Sequence, residues 1–359
     1  MSFMIAAAGT GGHVFPGLAV GEALIENGVA NDQILFVGGD RLEATVYPSQ
    51  GFRFVGMELA GLQRAFTLRN LRIPAVVTRA RNGIGREIEL SDVAVVLGMG
   101  GYVTIPAGLA ARRHRVPFFN AEQNAEAGLA NKISSRWARK TFVSFPETGG
   151  LRHGMWVGNP VRRPFWNFDR AELRTTALER FDLDSEVTVV GVFGGSLGSQ
   201  AINDAVADMV RAWEAAPIQV LHLTGEDHLS AMRTRRAGAQ ATWIRLGFET
   251  RMDLFYAASD VVIARAGGAV AELTATATPA ILVPGSFGSG GHQEGNARAL
   301  ERAGAARIVP ETHLDRLGQS VAEIVSDEGL RTRMSRGATE ISKPEAALTI
   351  AQQMIEAAR

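Results

Sequence analysis

Three glycine clusters constrain this chain more than any other feature, because each falls between a short apolar run and an amphipathic stretch. They are Gly9-Thr10-Gly11-Gly12-His13, Gly98-Met99-Gly100-Gly101-Tyr102 and Gly194-Gly195-Ser196-Leu197-Gly198. Apolar runs at 4–8, 92–97 and 187–193 precede them, and helical patterns over 16–27, from Pro106, and over 200–215 follow. Strand, glycine turn, helix is the beginning of a β-α-β unit, so parallel sheets covered by helices are expected. Further short runs at 34–37, 117–120 and 140–143 continue the first series. Runs at 218–224, 243–246, 261–264 and 280–283 continue the second.

The restart in mid-chain predicts two Rossmann-like domains. A length of 359 residues is more than one core usually holds. Val157-Gly158-Asn159-Pro160 punctuates the chain, which places the domains at 1–160 and 161–343. A last helix, 344–359, is expected to pack back on the first domain. Glycine after a strand lets a backbone approach a phosphate, while the following helix offers N–H groups and the positive end of its dipole. Any one cluster is equally well explained as a tight turn, but three at equivalent places point to ligands. None reads G-x-x-x-x-G-K-[ST], and none is a clean G-x-G-x-x-G with an acid about twenty residues on, which argues against a P-loop and against NAD or FAD.

Charge narrows the partners. Lys+Arg and Asp+Glu number 37 each, so a uniformly basic nucleic-acid binder is not expected. The balance is uneven: residues 1–160 hold 16 basic against 12 acidic residues. Residues 62–86 carry six arginines (64, 69, 72, 79, 81, 86) and no acid, interleaved with Leu68, Leu71, Ile73, Val76 and Val77. That pattern suits an interfacial patch on anionic lipid, with Arg112-Arg113-His114-Arg115 adding to it. A solvated basic face over core residues is the other reading. No run reaches the roughly 18 apolar residues of a membrane span. Residues 1–8 are apolar without a basic flank and read as a buried strand, not a signal peptide. With no cysteine there is no disulfide and no thiolate metal site. A cytoplasmic protein with peripheral membrane contact is expected.

Several polar residues stand in apolar surroundings. His13 ends the first loop and has the side chain whose ordinary pKa is nearest neutrality, so it can take a proton from a hydroxyl. Glu122-Gln123-Asn124, with Asn131 beyond, follows a strand; hydrogen bonding to sugar hydroxyls and helix capping both fit. Arg162 near the domain join could hold a diphosphate or make a surface ion pair. Glu272, just past the strand at 261–264, could accept from a ribose diol or stabilise its helix. His292, Gln293 and Asn296 follow the glycine-serine loop 285–291.

Taken in order, seven segments resemble the MurG family, the UDP-N-acetylglucosamine:lipid I N-acetylglucosaminyltransferases of peptidoglycan synthesis. They are AAAGTGGHVFPG (6–17), LGMGGYVTIPAGLAA (97–111), AEQNAEAGLANK (121–132), GNPVR (158–162), GVFGGSLGSQAIND (191–204), SDVVIARAGGAVAEL (259–273) and HQEGNA (292–297). The resemblance implies the α/β GT-B fold, two Rossmann-like domains facing across a cleft. It implies inverting transfer of N-acetylglucosamine from UDP-N-acetylglucosamine to the C4 hydroxyl of the muramic acid sugar of lipid I. Thr10, Gly11, Gly12 and His13 would face the reacting sugars and acceptor diphosphate, with Gly100, Gly101 and Tyr102 lining the same site. Asn124 would contact the donor sugar. Arg162 and Ser196 would lie near the UDP diphosphate, and Phe248 and Glu249 would offer backbone groups to uracil. Gly268, Ala269, Val270, Ala271 and Glu272 would cover phosphate and ribose, and Gln293 would hold sugar hydroxyls. His13 is the expected general base and Glu122 the runner-up.

No metal and no cofactor are expected. The expected partners are UDP-N-acetylglucosamine, lipid I, the anionic inner leaflet and other cell-wall enzymes, on the cytoplasmic face of the membrane. Two departures stand out. Similar sequences read R-[AS]-G-A-x-T-x-x-E where residues 265–272 are one shorter, with Val270 at the threonine; and Ser199 stands where alanine is common. Another GT-B enzyme (a UDP-sugar 2-epimerase or glycolipid synthase), a non-catalytic nucleotide-sugar binder and a nicotinamide oxidoreductase are the alternatives.

Overall fold

The computed structural model describes residues 1–57, 73–195, 198–232, 238, 240–285 and 291–359. Its apolar runs are strands, each parallel to its neighbours. β1 (Ser2–Ala6), β2 (Ile34–Gly38), β3 (Arg53–Gly56), β4 (Val93–Gly98), β5 (Phe118–Glu122), β6 (Thr141–Val143) and β7 (Gly154–Trp156) make one sheet in the order β3-β2-β1-β4-β5-β6-β7. β8 (Thr188–Phe193), β9 (Ile218–Leu223), β10 (Ala241–Leu246), β11 (Val261–Ala264), β12 (Ala280–Leu282) and β13 (Ala306–Ile308) make the other, in the order β10-β9-β8-β11-β12-β13. Contacts divide the chain into Met1–Arg163 with Lys343–Arg359, and Pro164–Ser342. The α/β class with two Rossmann-like halves is as the sequence implied. Strands β3, β7 and β13 were not anticipated. Each is an edge strand of three or four residues, β7 exposed throughout and β3 and β13 each carrying an arginine, so no continuous apolar run marks them.

In the first unit β1 and β2 are wholly buried, as two-sided parallel strands require. Helices α1 (Gly11–Glu26), α2 (Leu42–Ser49), α3 (Ile73–Leu90), α4 (Thr104–His114) and α5 (Leu129–Ser134) connect the strands. Tyr47 stacks on Phe36 with ring centroids 3.9 Å apart, and its hydroxyl donates to the Val14 carbonyl at 3.0 Å. Gly17 of α1 lies over that hydroxyl, where a Cβ would come within 2.9 Å. Helix α3 turns Ala80, Ile84 and Ile88 inward against α4 and leaves Arg79 and Arg86 exposed. Of the basic segment read in the sequence, 64, 68, 69, 71 and 72, and the side chain of 73, lie outside the described residues. Among the described residues no helix is long and apolar enough to cross a membrane.

In the second unit α6 (Arg170–Phe181), α7 (Gln200–Arg211), α8 (Glu226–Met232), α9 (Met252–Ala258), α10 (Ala269–Ala275), α11 (His292–Arg302), α12 (Leu317–Ser326) and α13 (Glu328–Glu340) surround the sheet. Two arginines of α6 close the carboxyl end of α9. Arg170 donates to the carbonyls of Tyr256 and Ser259 at 2.6 Å each, and Arg174 to that of Ala258 at 2.6 Å. Those carbonyls lie at the negative end of the helix dipole, so guanidinium groups suit them. The last helix, α14 (Ala346–Ala358), packs on α1 and β4 of the first unit.

Both sheets reverse direction of growth once, between β1 and β4 and between β8 and β11. Loops leaving those paired strands diverge to opposite faces and open a crevice at the carboxyl edge, where open α/β sheets bind ligands. All three glycine clusters sit at these two switch points.

His222, the last residue but one of β9, is fully buried, with Nε2 3.0 Å from Asn203 Oδ1 and its ring stacked near Trp243. Burial, and then the charge of Arg245, lower its pKa from 6.5 to about 3. The unfolded chain therefore binds a proton below pH 6.5 that the folded unit refuses until about pH 3. Stability should fall as pH drops through that window, by about 1.4 kcal/mol per unit. Denaturant titrations from pH 7 to pH 4 should show a slope that His222→Gln removes; parallel curves for the two proteins would refute it.

Candidate active site

The first crevice is built from backbone before side chains. Gly9 has φ +107°, and its amide donates to Glu43 Oε2 at 3.2 Å, while Gly39 donates to Glu43 Oε1 at 2.9 Å. Glu43, 1% exposed, thus ties the loop after β1 to the loop after β2. Sequence reasoning missed it; an acid shortly after Gly38-Gly39, at the start of a helix, was the signal available. Helix α1 begins at Gly11 with no acid in its first turn, and Thr10 makes no side-chain cap. Its positive end is left to meet an anion.

His13 is half-buried in that first turn, with Nδ1 3.4 Å from Thr10 Oγ1. Its ring lies against Gly100: a Cβ there would come within 2.9 Å of Nε2 and 3.4 Å of Asn131 Nδ2. At Gly101, φ +74°, a Cβ would lie 2.5 Å from the Ala8 carbonyl oxygen. Only glycine permits these approaches, and through them the loops after β1 and β4 meet at His13. Tyr102 beside them is exposed. Arg162 lies over the Phe15 ring, 5.9 Å from its centroid.

Glu122, at the end of β5, must be reassigned. Its Oε1 accepts from the Asn124 backbone N–H at 3.0 Å and Asn124 Nδ2 at 2.9 Å. Its Oε2 accepts from Gly128 N–H and Asn131 Nδ2, each at 2.8 Å. A carboxylate 2% exposed and holding four donors has no lone pair aimed at a substrate hydroxyl. Glu122 is the organiser of the 122–131 loop, not a general base. Asn131 is 2% exposed and donates its Nδ2 to Glu122 and the Ala121 carbonyl, while its Oδ1 is buried without a hydrogen-bond partner. Asn124 is half-buried, its amide held by Glu122.

The second crevice repeats the design. After β8, Gly195 and Gly198 have φ +99° and +76°, and Gly194 folds onto Ser199, where a Cβ would lie 2.5 Å from the Ser199 nitrogen. Ser196 lies outside the described residues, as does most of the 285–291 loop. After β11, Gly268 precedes α10, and Glu272 accepts from the Tyr256 hydroxyl at 3.0 Å. Val270 needs correcting as a contact. Its side chain is buried in the core, and its N–H and that of Ala271 donate to the carbonyls of Gly267 and Gly268 at 3.3 and 3.2 Å. Ala269, like Ala271, is half-buried at the start of α10.

Glu249 keeps its side chain inside the protein. Arg180 grips it through two 3.0 Å bonds, and the Arg251 N–H donates at 2.7 Å. Burial opposes ionisation, but these bonds outweigh it and hold the carboxyl below its ordinary pKa. Phe248 next to it is 54% exposed. Gln293 Oε1 accepts from the Gly285 N–H at 2.8 Å, which pins one end of the glycine-serine loop. Arg265, unmarked in the sequence reading, joins Ser199, Val283 and Glu311. Among the described residues no cluster of His, Asp and Glu could hold a metal ion.

The N-terminal domain model of glycosyltransferase family 28 matches residues 3–143, and the C-terminal domain model of that family matches residues 189–353. A relative from Acidithiobacillus ferrooxidans, named UDP-N-acetylglucosamine–N-acetylmuramyl-(pentapeptide) pyrophosphoryl-undecaprenol N-acetylglucosamine transferase, is 40% identical over 366 residues, covering 99% of this chain and 98% of its own. A relative of the same name from Rhodococcus erythropolis is 35% identical over 372 residues, covering 100% and 95%. The crystal structure of Acinetobacter baumannii MurG aligns with a TM-score of 0.79 at 27% identity, over 99% of each chain.

The reassignment of Glu122 predicts a stability defect. Glu122→Gln turns an amide N–H₂ toward donors and should cost about 2–3 kcal/mol in denaturant unfolding. A variant with wild-type stability but turnover lost at neutral pH, where the natural carboxylate is ionised, would restore Glu122 as a base.

Proposed function

The chain belongs to glycosyltransferase family 28, in its MurG branch, and we propose on that premise that it moves N-acetylglucosamine from UDP-N-acetylglucosamine onto lipid I, the undecaprenyl-pyrophosphoryl muramyl-pentapeptide, to give lipid II. The observation that carries the reading is the repeated switch-point crevice. Donor and acceptor are both diphosphates, and the chain has two glycine-lined crevices at helix N-termini, one in each unit. The second unit takes the UDP-sugar, with Glu272 on the ribose hydroxyls, the backbone near exposed Phe248 serving the base, and Gln293 beside the sugar. The first takes the acceptor diphosphate along Thr10, Gly11, Gly12, Gly100, Gly101 and Tyr102.

The acceptor C4 hydroxyl attacks the anomeric carbon from the side opposite UDP, so the centre inverts. Charge gathering on the leaving diphosphate is offset by helix N-termini and by Arg162. The hydroxyl proton passes to His13, the one half-buried titratable side chain in the first turn of α1. With Glu122 spent on its loop, no carboxylate competes for that role.

The acceptor's lipid tail requires a membrane surface. Exposed Arg79 and Arg86 on α3, with exposed Arg112, Arg113 and Arg115 at the end of α4, form the basic part of such a surface, since the two helices pack together. The protein then sits on the cytoplasmic leaflet as a peripheral enzyme, where it meets the enzymes that supply lipid I and consume lipid II.

Labelled UDP-N-acetylglucosamine and a lipid I analogue test the reaction: the chain should form a disaccharide lipid. His13→Ala should lose about 10²–10⁴-fold in turnover while UDP affinity stays unchanged. A loss under about tenfold would remove His13 as the base. Binding to anionic vesicles should weaken as salt rises, and equal binding to neutral vesicles would count against the basic surface.

A further inference from the structure

In the second unit one buried guanidinium reaches three separate stretches of chain. Arg265 leaves the end of β11, where its exposure is 6%, and donates through Nη2 to Ser199 Oγ at 2.8 Å and to Glu311 Oε1 at 2.9 Å. Through Nη1 it donates to the Val283 carbonyl, just past β12, at 3.2 Å. Ser199 closes the loop after β8 and begins α7; its Oγ also takes the Ile202 N–H at 3.5 Å, and its carbonyl takes the Asn203 N–H at 2.8 Å. Gly194 is folded against it so closely that a Cβ would come within 2.5 Å of the Ser199 nitrogen. The link therefore runs from the glycine loop after β8, through one hydroxyl, to the glycine loop after β11. Those are the two loops that flank the switch point.

We propose that Ser199 and Arg265 are positioning residues that fix the spacing of the two glycine loops and so set recognition of the nucleotide's diphosphate. The inference rests on the assignment of this crevice to the UDP-sugar. A planar, rigid guanidinium holds several acceptors at set angles, which a lysine cannot do. The Ile202 contact at 3.5 Å is a long capping bond, whereas the bond from Arg265 is short and charge-assisted. The hydroxyl is therefore worth more as a tie between loops than as a helix cap. Neither residue touches the nucleotide; both act through backbone amides of the loops they hold.

The test separates diphosphate from nucleoside. Titration calorimetry on the full chain compares UDP with uridine for the natural protein, Ser199→Ala and Ser199→Thr. Ser199→Ala should weaken UDP about fivefold to tenfold and leave uridine unchanged, and Ser199→Thr, which keeps a hydroxyl, should restore UDP binding. Equal weakening of UDP and uridine, or a lowered melting temperature with an unchanged UDP-to-uridine ratio, would mean that Ser199 is only a cap and would overturn the proposal. Glu272→Ala serves as the control and should weaken UDP and uridine together. If it alters neither, the assignment of this crevice to the nucleotide fails, and the inference with it.

Discussion

Backbone N–H groups at the carboxyl edge of a parallel sheet have no partner within the sheet, and this molecule is organised by what takes them. Part of that demand is met internally by carboxylates. Glu43 takes the Gly9 and Gly39 amides, Glu122 takes those of Asn124 and Gly128, and Glu249 takes that of Arg251. Each is nearly buried, and each fixes a loop that leaves a strand. An anionic oxygen makes a stronger bond to an amide than a neutral one does, so loops rich in glycine are held without side-chain packing. In the first turn of α1, by contrast, the amides of His13 and Val14 turn back onto the Thr10 carbonyl, and no carboxylate of that turn takes them.

Arginines do the complementary work at carbonyls. Arg170 and Arg174 close the end of α9, and Arg265 takes Val283. Burial lowers the Arg170 pKa from 12.5 to about 10, with Asp260 opposing the fall and Arg174 adding to it, and the group stays charged at neutral pH. The chain's even balance of acids and bases is thus a poor guide to where charge acts. Many of these groups are internal ties, while the basic residues of α3 and α4 are turned outward.

Regularity decided what could be read from sequence. β11 was legible because Val261–Ala264 is an unbroken apolar run, and β1 because its run meets a glycine loop. β7, exposed along its length, and β3, a half-buried edge, carry no such pattern. That two glycine clusters stand at equivalent strand ends was legible, but the contact of His13 with Gly100 spans much of the unit and no local pattern shows it. Glu122 was misjudged because a carboxylate after a strand looks the same whether it faces solvent or four donors. The difference lies in a loop that returns through Gly128 and Asn131, and no local pattern announces that return. Glu43 and Arg265 escaped for a related reason: their partners are distant in sequence, so only the fold brings them together.

The segment 265–272, one residue shorter than similar sequences read there, redistributes such work. Glu272 keeps its place because Tyr256 holds it, and α10 starts at Ala269. Val270, at the position of a threonine in similar sequences, turns into the core and supplies no hydroxyl. The amides of Val270 and Ala271 are already engaged by Gly267 and Gly268. On the proposed assignment of this crevice, a diphosphate draws less from the loop after β11 than a longer loop would give. Weight passes to the loop after β8, whose glycines at 194, 195 and 198 bring backbone close to a ligand. A site that leans on one loop is sensitive to where that loop stands, and in this chain a serine hydroxyl and a buried arginine determine that.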